Sequence, residues 1–311
     1  MDASTTGSVG APRATRGPLS LFTWWSAIRP RTLTLAACGP LPGLALAVHA
    51  GAGLDAGIAA LTLACAMLIQ IGTNLANDAG DFRRGGDGPG RLGPLRACAS
   101  GWLSVATVER AAALSFAAAL VCGGLLVARG GWPIFALGLA ALLAGAAYSH
   151  GPRPINASGW GEATVVLFFG VAATCGTFWL QALAWSLDAA LAGTACGLVA
   201  AAVLAVNNAR DADADRATGR HTLAVTHGER FARAEIAGLV LAPFALAVVW
   251  AVSAGRPAPL AILLLLPVAW RVCVTVRTAA TGAGWNAALA ATVRLHALLS
   301  LILTTALLCA Y

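Results

Sequence analysis

Two short windows hold six of the chain's 13 acidic residues. The first runs Asn74-Leu75-Ala76-Asn77-Asp78-Ala79-Gly80-Asp81-Phe82-Arg83-Arg84-Gly85-Gly86-Asp87, and the second Asn207-Asn208-Ala209-Arg210-Asp211-Ala212-Asp213-Ala214-Asp215-Arg216, followed by Gly219 and Arg220. On a helix, Asn74, Asp78 and Asp81 fall at i, i+4 and i+7, and Asn207, Asp211 and Asp215 at successive i+4 steps, so each set shares one face. Asp213 points about 200° away from Asp211 at ~100° per residue and is the weakest ligand of its window. Two carboxylate clusters at one surface repel unless a cation neutralises them. A hard divalent ion held by one or two carboxylates and completed by phosphate oxygens does so. The interleaved arginines Arg83, Arg84, Arg210, Arg216 and Arg220 would then take the remaining phosphate charge. Metal, diphosphate and an apolar tail together describe a prenyl diphosphate.

The apolar tail is suggested by the elements around the windows. Of 311 residues, 59% are hydrophobic and 11% charged, and the mean hydropathy is +0.77. A soluble domain carries about 25% charged residues, so a soluble globule is excluded. Disorder and fibrous architectures fall with it. Nine apolar stretches can be marked, at about 33–50, 56–76, 104–127, 132–149, 161–183, 188–208, 231–253, 258–276 and 286–310. These are long unbroken runs without the ten-residue alternation of barrel strands, so they predict an all-α integral membrane protein. The polar connections 77–103 and 209–230 hold the two acidic windows, and the fold should be one domain over 21–311 behind a cytoplasmic tail at 1–20. That tail has no apolar core and does not read as a cleaved signal.

All 20 basic residues are arginine. With the N-terminus in the cytoplasm, 17 of them fall on that side and only Arg129 and Arg256 opposite, Arg294 lying within the last apolar stretch. The positive-inside rule therefore places both acidic windows at the cytoplasmic face of a bacterial-type plasma membrane. A cation-coupled transporter is the rival class, but transporters keep their ionisable groups near the midplane on broken helices. Nothing in the pattern points to nucleic acid. The eight cysteines form no CxxC pair and read as small apolar residues.

Asn77-Asp78-x-x-Asp81 with Asp87, and Asp211-x-x-x-Asp215, resemble the two aspartate-rich motifs of the UbiA superfamily of intramembrane prenyltransferases. Asn207–Val225 is similar to the second motif of its 1,4-dihydroxy-2-naphthoate (menaquinone) branch. So are Arg29-Pro30-Arg31-Thr32-Leu33, Gly93-Pro94-Leu95-Arg96 with Ser100-Gly101, Tyr148-Ser149-His150-Gly151-Pro152-Arg153-Pro154, Gly161-Glu162, Phe168-Phe169-Gly170 and Arg294-Leu295-His296. The likeness spans about residues 24–300. Where the superfamily often has a third aspartate this chain has Gly85, with Asp87 two further on, and Arg220 replaces a common lysine.

The resemblance implies about nine transmembrane helices around a lipid-open central cavity and two Mg²⁺ ions, one per motif. The ions would be held by Asp78, Asp81, Asp211 and Asp215 with Asn77. It also implies that an all-trans polyprenyl diphosphate alkylates 1,4-dihydroxy-2-naphthoate with loss of CO₂. Asn74, Asn77, Arg83, Arg84, Asn207, Asn208, Arg210 and Arg220 are expected on the substrate, Arg29 on the aromatic carboxylate and Arg294 in the cavity. Tyr148 is expected near the allylic carbon, although an interfacial anchor reads almost as well. Glu162 is balanced between a helix-end charge and a site role, and His150 and His221 read as polar loop residues. Homogentisate or 4-hydroxybenzoate is the alternative acceptor.

Overall fold

The computed structural model describes residues 20–83, 85, 96–149 and 154–310. The expected tail, Arg84, Asp87, His150 and Arg153 lie outside the described residues, apart from Ser20. The described residues form helices and connecting turns: α1 (Leu21–Ile28), α2 (Pro30–Cys38), α3 (Pro40–His49), α4 (Ala56–Arg83), α5 (Val105–Ser149), α6 (Gly161–Val165), α7 (Ala173–Ala182), α8 (Leu187–Ala217), α9 (Leu223–Ala254), α10 (Leu266–Thr278) and α11 (Gly282–Cys309). A π-helical turn, Val166–Ala172, joins α6 to α7, and a 3₁₀ segment, Ala258–Leu265, precedes α10.

Eight of the resulting helical runs are long and apolar enough to cross a membrane, one of them the 44-residue run Val105–Tyr148. A straight helix of that length would reach about 66 Å, twice a bilayer core. It is broken at Gly131 (φ 66°, ψ −152°), two residues before Pro133. Trp179 Nε1 donates to the Gly130 carbonyl at 2.8 Å, so the break sits beside the end of α7. Tyr148 at the far end is within electrostatic reach of Glu162, which opens α6. The second half of α5 thus turns back from the break, and the eight spans among the described residues, one of them double length, come close to the nine expected. The chain is a multi-pass membrane protein.

Helix α8 sits at the centre, packed by α3, the π turn, α7, α9 and α11. From Ala189 to Val206 its Ala- and Gly-rich sequence is apolar on nearly every side, as a helix surrounded by others requires. Gly193 and Gly197 on α8 face Gly170 of the π turn. A Cβ on Gly170 would lie 2.2 Å from the Gly193 carbonyl oxygen and 2.6 Å from Gly197 Cα. Small residues four apart let the two backbones touch, which locks the segment after Glu162 onto α8.

The first crossing carries Pro40 and Pro42, which remove two amide donors. Cys38 would ordinarily accept from residue 42; Ser300 Oγ donates to its carbonyl instead, at 2.7 Å, and Thr174 Oγ1 donates to the Gly39 carbonyl at 2.7 Å. Neighbouring hydroxyls thus satisfy the backbone that lipid cannot.

At the end of the bundle opposite the acidic windows, Arg129 donates to the Leu180 and Gln181 carbonyls that close α7. Arg256 pairs there with Asp188 at 3.4 Å.

Candidate active site

The aspartates are carried by helices rather than by the loops in which the sequence placed them. Helix α4 continues through Gly80 to Arg83 and α8 through Ala217, and the left-handed glycines Gly85 and Gly219 (φ +71° and +73°) follow just beyond their ends. The acidic faces are therefore fixed extensions of membrane helices.

The two windows meet at Arg220. One guanidinium nitrogen lies 3.1 Å from Asp215 Oδ1 and another 3.4 Å from Asp81 Oδ1. Arg96 closes the other side of Asp81 at 2.6 Å and donates to the Asn77 carbonyl at 3.0 Å. Asp211 and Asp81 both lie within electrostatic reach of Asp215. Tyr148 is likewise within reach of Arg220 and Glu162. Gly219 makes the turn that brings Arg220 back, with φ +73°, and the Arg220 amide donates to the Asp215 carbonyl at 2.9 Å.

Asp78, expected on the metal, and several residues expected on the substrate are hydrogen-bonded within the scaffold. Asp78 is 1% exposed, and its two oxygens accept from the Ala97 and Cys98 amides at 2.9 and 3.2 Å. It anchors the turn that delivers Arg96. Asn74 is buried and donates to the Ile28 carbonyl and Thr32 Oγ1 at 2.8 and 2.7 Å, tying α4 to the α1–α2 junction. Arg210 grips Asp211 with two nitrogens at 2.8 and 2.7 Å and donates to Asn286 Oδ1 and Asn207 Oδ1 at 2.9 and 2.7 Å. That fork orients Asp211 instead of reaching for phosphate, and it engages Asn207 as a partner. Asn208 donates to Glu162 Oε1 at 2.7 Å.

Other expected residues stand apart. Arg83 pairs with Glu109 on an exposed surface at 2.8 Å. Asp213 is fully exposed and pairs with Arg216, whereas the side chains of Asp211 and Asp215 are 22% and 10% exposed. Arg294 is exposed on α11 while Leu295 and His296 beside it are wholly buried. None of the described ion pairs includes it. Arg29 occupies the left-handed turn between α1 and α2 (φ 53°, ψ 73°), and its carbonyl accepts from Thr32 Oγ1 at 2.9 Å. Through Thr32 it is placed beside Asn74 of the first window.

The donor set is hard oxygen. Among the described residues no group of three His, Cys, Asp or Glu side chains converges into a metal cage. Asp81 and Asp215 nevertheless converge on one cation, the Arg220 guanidinium, with Asp211 near. Paired carboxylates of this kind suit an ion such as Mg²⁺, which keeps waters and shares its ligands with substrate phosphates. Arg96 and Arg220 balance the acids between them.

Comparison with known proteins agrees with this arrangement of membrane helices. Residues 39–299 match the model of the UbiA prenyltransferase family, and the chain belongs to that family. Within it, the chain is 38% identical to the 1,4-dihydroxy-2-naphthoate octaprenyltransferase of Escherichia coli strain K12 over 68% of this chain and 70% of that one. It is 33% identical to the protein of the same name from Mycobacterium tuberculosis, over 78% and 85% of the two chains. The fold is shared with a UbiA homolog from Archaeoglobus fulgidus bound to DMAPP and Mg²⁺, at a TM-score of 0.65 and 17% identity, covering 93% of this chain and 100% of that one. The protein is a prenyltransferase, as the resemblance of its motifs implied.

Arg96, Asn286 and the depth of Glu162 are the parts that motif reading missed or left open. Arg96 had a signal in Gly93-Pro94-Leu95-Arg96, yet its carboxylate partner lies in another segment. Asn286 had none, being an isolated polar residue near the start of α11.

Proposed function

We propose that the protein transfers an all-trans polyprenyl group from polyprenyl diphosphate to 1,4-dihydroxy-2-naphthoate, with decarboxylation to demethylmenaquinol, in a Mg²⁺-dependent reaction. The observation that carries this reading is the meeting of Asp81 and Asp215 at Arg220. Two distant acidic windows share one centre at one end of a membrane bundle. The names of the relatives supply the acceptor, and the Mg²⁺-bound fold homologue supports the metal.

In this reading two ions are held, by Asp81 with Asn77 on the first window and by Asp211 and Asp215 on the second. Bound Mg²⁺ supplies Lewis-acid stabilisation of the departing diphosphate. Arg220 adds a guanidinium fork for the same oxygens. Arg210 holds Asp211 at a set angle, and Asp78 holds the Arg96 turn. The apolar helices around the site exclude water from an allylic cation, and Tyr148 lines the wall beside it. Arg29 meets the aromatic carboxylate. Residues 21–311 act as one domain at the plasma membrane, with the N-terminus and the site opening on the cytoplasmic side, where arginines concentrate.

Chelation tests the metal requirement. EDTA should abolish product formation by membranes containing the protein, and excess Mg²⁺ should restore it. Turnover that persists through chelation would contradict the reading.

A further inference from the structure

Glu162 belongs to neither acidic window, yet it is 95% buried, with 5% exposure. Its Oε1 accepts from Asn208 Nδ2 at 2.7 Å. Its Oε2 is shut off from solvent and has no hydrogen-bond partner. A carboxylate kept only for structure would have both oxygens satisfied, since a buried unpaired acceptor is costly.

Its position fits a ligand. Asn208, Asp211 and Asp215 lie at i, i+3 and i+7 on one face of α8. At about 1.5 Å per residue, Asn208 sits roughly 5 Å further into the membrane than Asp211 and roughly 10 Å further than Asp215. Glu162 is therefore held one layer inward of the acidic centre, where a ring must stand to reach the carbon that leaves diphosphate. The glycine contacts of the following π turn with α8 fix its backbone there. Among the described residues, Tyr148 from α5 and Glu235 from α9 are titratable groups within its electrostatic reach, and Arg220 is within reach of Tyr148.

We infer that Glu162 is a catalytic residue for the aromatic acceptor, its Oε2 taking the proton of a ring hydroxyl. The inference rests on the prenyl-transfer reading. As the hydroxyl proton moves to Glu162, the oxygen becomes a carbonyl and its electrons pass through the ring to the carboxylate-bearing carbon. That carbon forms the new bond to the allylic carbon, whose C–O bond breaks with its pair leaving on diphosphate. Loss of CO₂ then returns its bonding pair to the ring, and Glu162 gives the proton back to the oxygen. No oxidant or reductant is consumed.

The test is Glu162→Gln in the full chain in lipid nanodiscs, with turnover measured from pH 5 to 9 at saturating prenyl diphosphate and dihydroxynaphthoate. Gln keeps an oxygen for Asn208 and removes the base. Turnover should fall by about 10²- to 10⁴-fold, and a parallel series varying prenyl diphosphate should leave the donor KM nearly unchanged. The loss should shrink as pH approaches the hydroxyl's own ionisation, a recovery that a folding defect would not show. Glu162→Asp, which keeps the base one methylene short, should give intermediate turnover. If Glu162→Gln does not fold, Glu162→Asp alone decides, and an undiminished rate there overturns the inference. Turnover of Glu162→Gln equal to the parent, or a loss independent of pH, would also overturn it. A parent protein inactive with every aromatic acid would overturn both this role and the prenyl-transfer reading, whereas an active parent beside an equally active Glu162→Gln overturns only this role.

Discussion

Asp81→Ala and Asp215→Ala should each lower turnover by at least about 10²-fold, the scale of losing one preorganised electrostatic element. Asp213→Ala should stay within a few-fold of the parent. The first two carboxylates converge on Arg220 from opposite windows, so each removal leaves the centre short of a ligand and an arginine short of its counter-charge. Asp213 is wholly exposed, and the pair it makes with Arg216 is a solvent-screened surface contact that contributes little. Asp78→Ala should also be inactive, but by another route. It strips the Ala97 and Cys98 amides of their acceptor, so its thermal midpoint should fall, while Asp81→Ala keeps that turn. Initial rates at saturating substrates, set beside melting curves, separate the two cases. A critical Asp213 would refute the one-face model of α8.

Arg220→Ala should raise the donor KM by about 10- to 100-fold, which is roughly the 1.5–3 kcal/mol of a charged hydrogen bond, and leave the acceptor KM nearly unchanged. Arg220→Lys should retain most activity, because one ammonium can still stand between Asp81 and Asp215. Arg210→Lys should not be tolerated, since a point charge cannot grip Asp211 with two nitrogens while also reaching Asn207 and Asn286. Steady-state kinetics varying each substrate in turn decide this. A rise confined to the acceptor KM in Arg220→Ala would move that loop to the aromatic side of the site.

Local periodicity and hydropathy made much of this legible. The crossings follow from apolar run length, and even the break in α5 was implied by the separate stretches 104–127 and 132–149. The shared face of Asn207, Asp211 and Asp215 follows from helical phase alone. What stayed hidden depends on contacts distant in sequence. Nothing near Asp78 announces that backbone amides some 20 residues away take both its oxygens. Arg210 read as a phosphate ligand because its partner Asn286 lies 76 positions on. The helices outrun the apolar stretches because hydropathy marks where lipid ends, not where the helix does. The π turn at Val166–Ala172 leaves no periodic signature, and only the facing Gly193 and Gly197 give it a reason.

The most direct measurement is to incubate membranes containing the protein with Mg²⁺, a polyprenyl diphosphate and a panel of aromatic acids, and to identify the product by mass. The account predicts a prenylated naphthoquinol lacking the carboxylate, formed from 1,4-dihydroxy-2-naphthoate in preference to homogentisate or 4-hydroxybenzoate and absent when Asp81 is alanine. A prenylated product that retains its carboxyl group, a preference for another acid, or no transfer to any of them would contradict it.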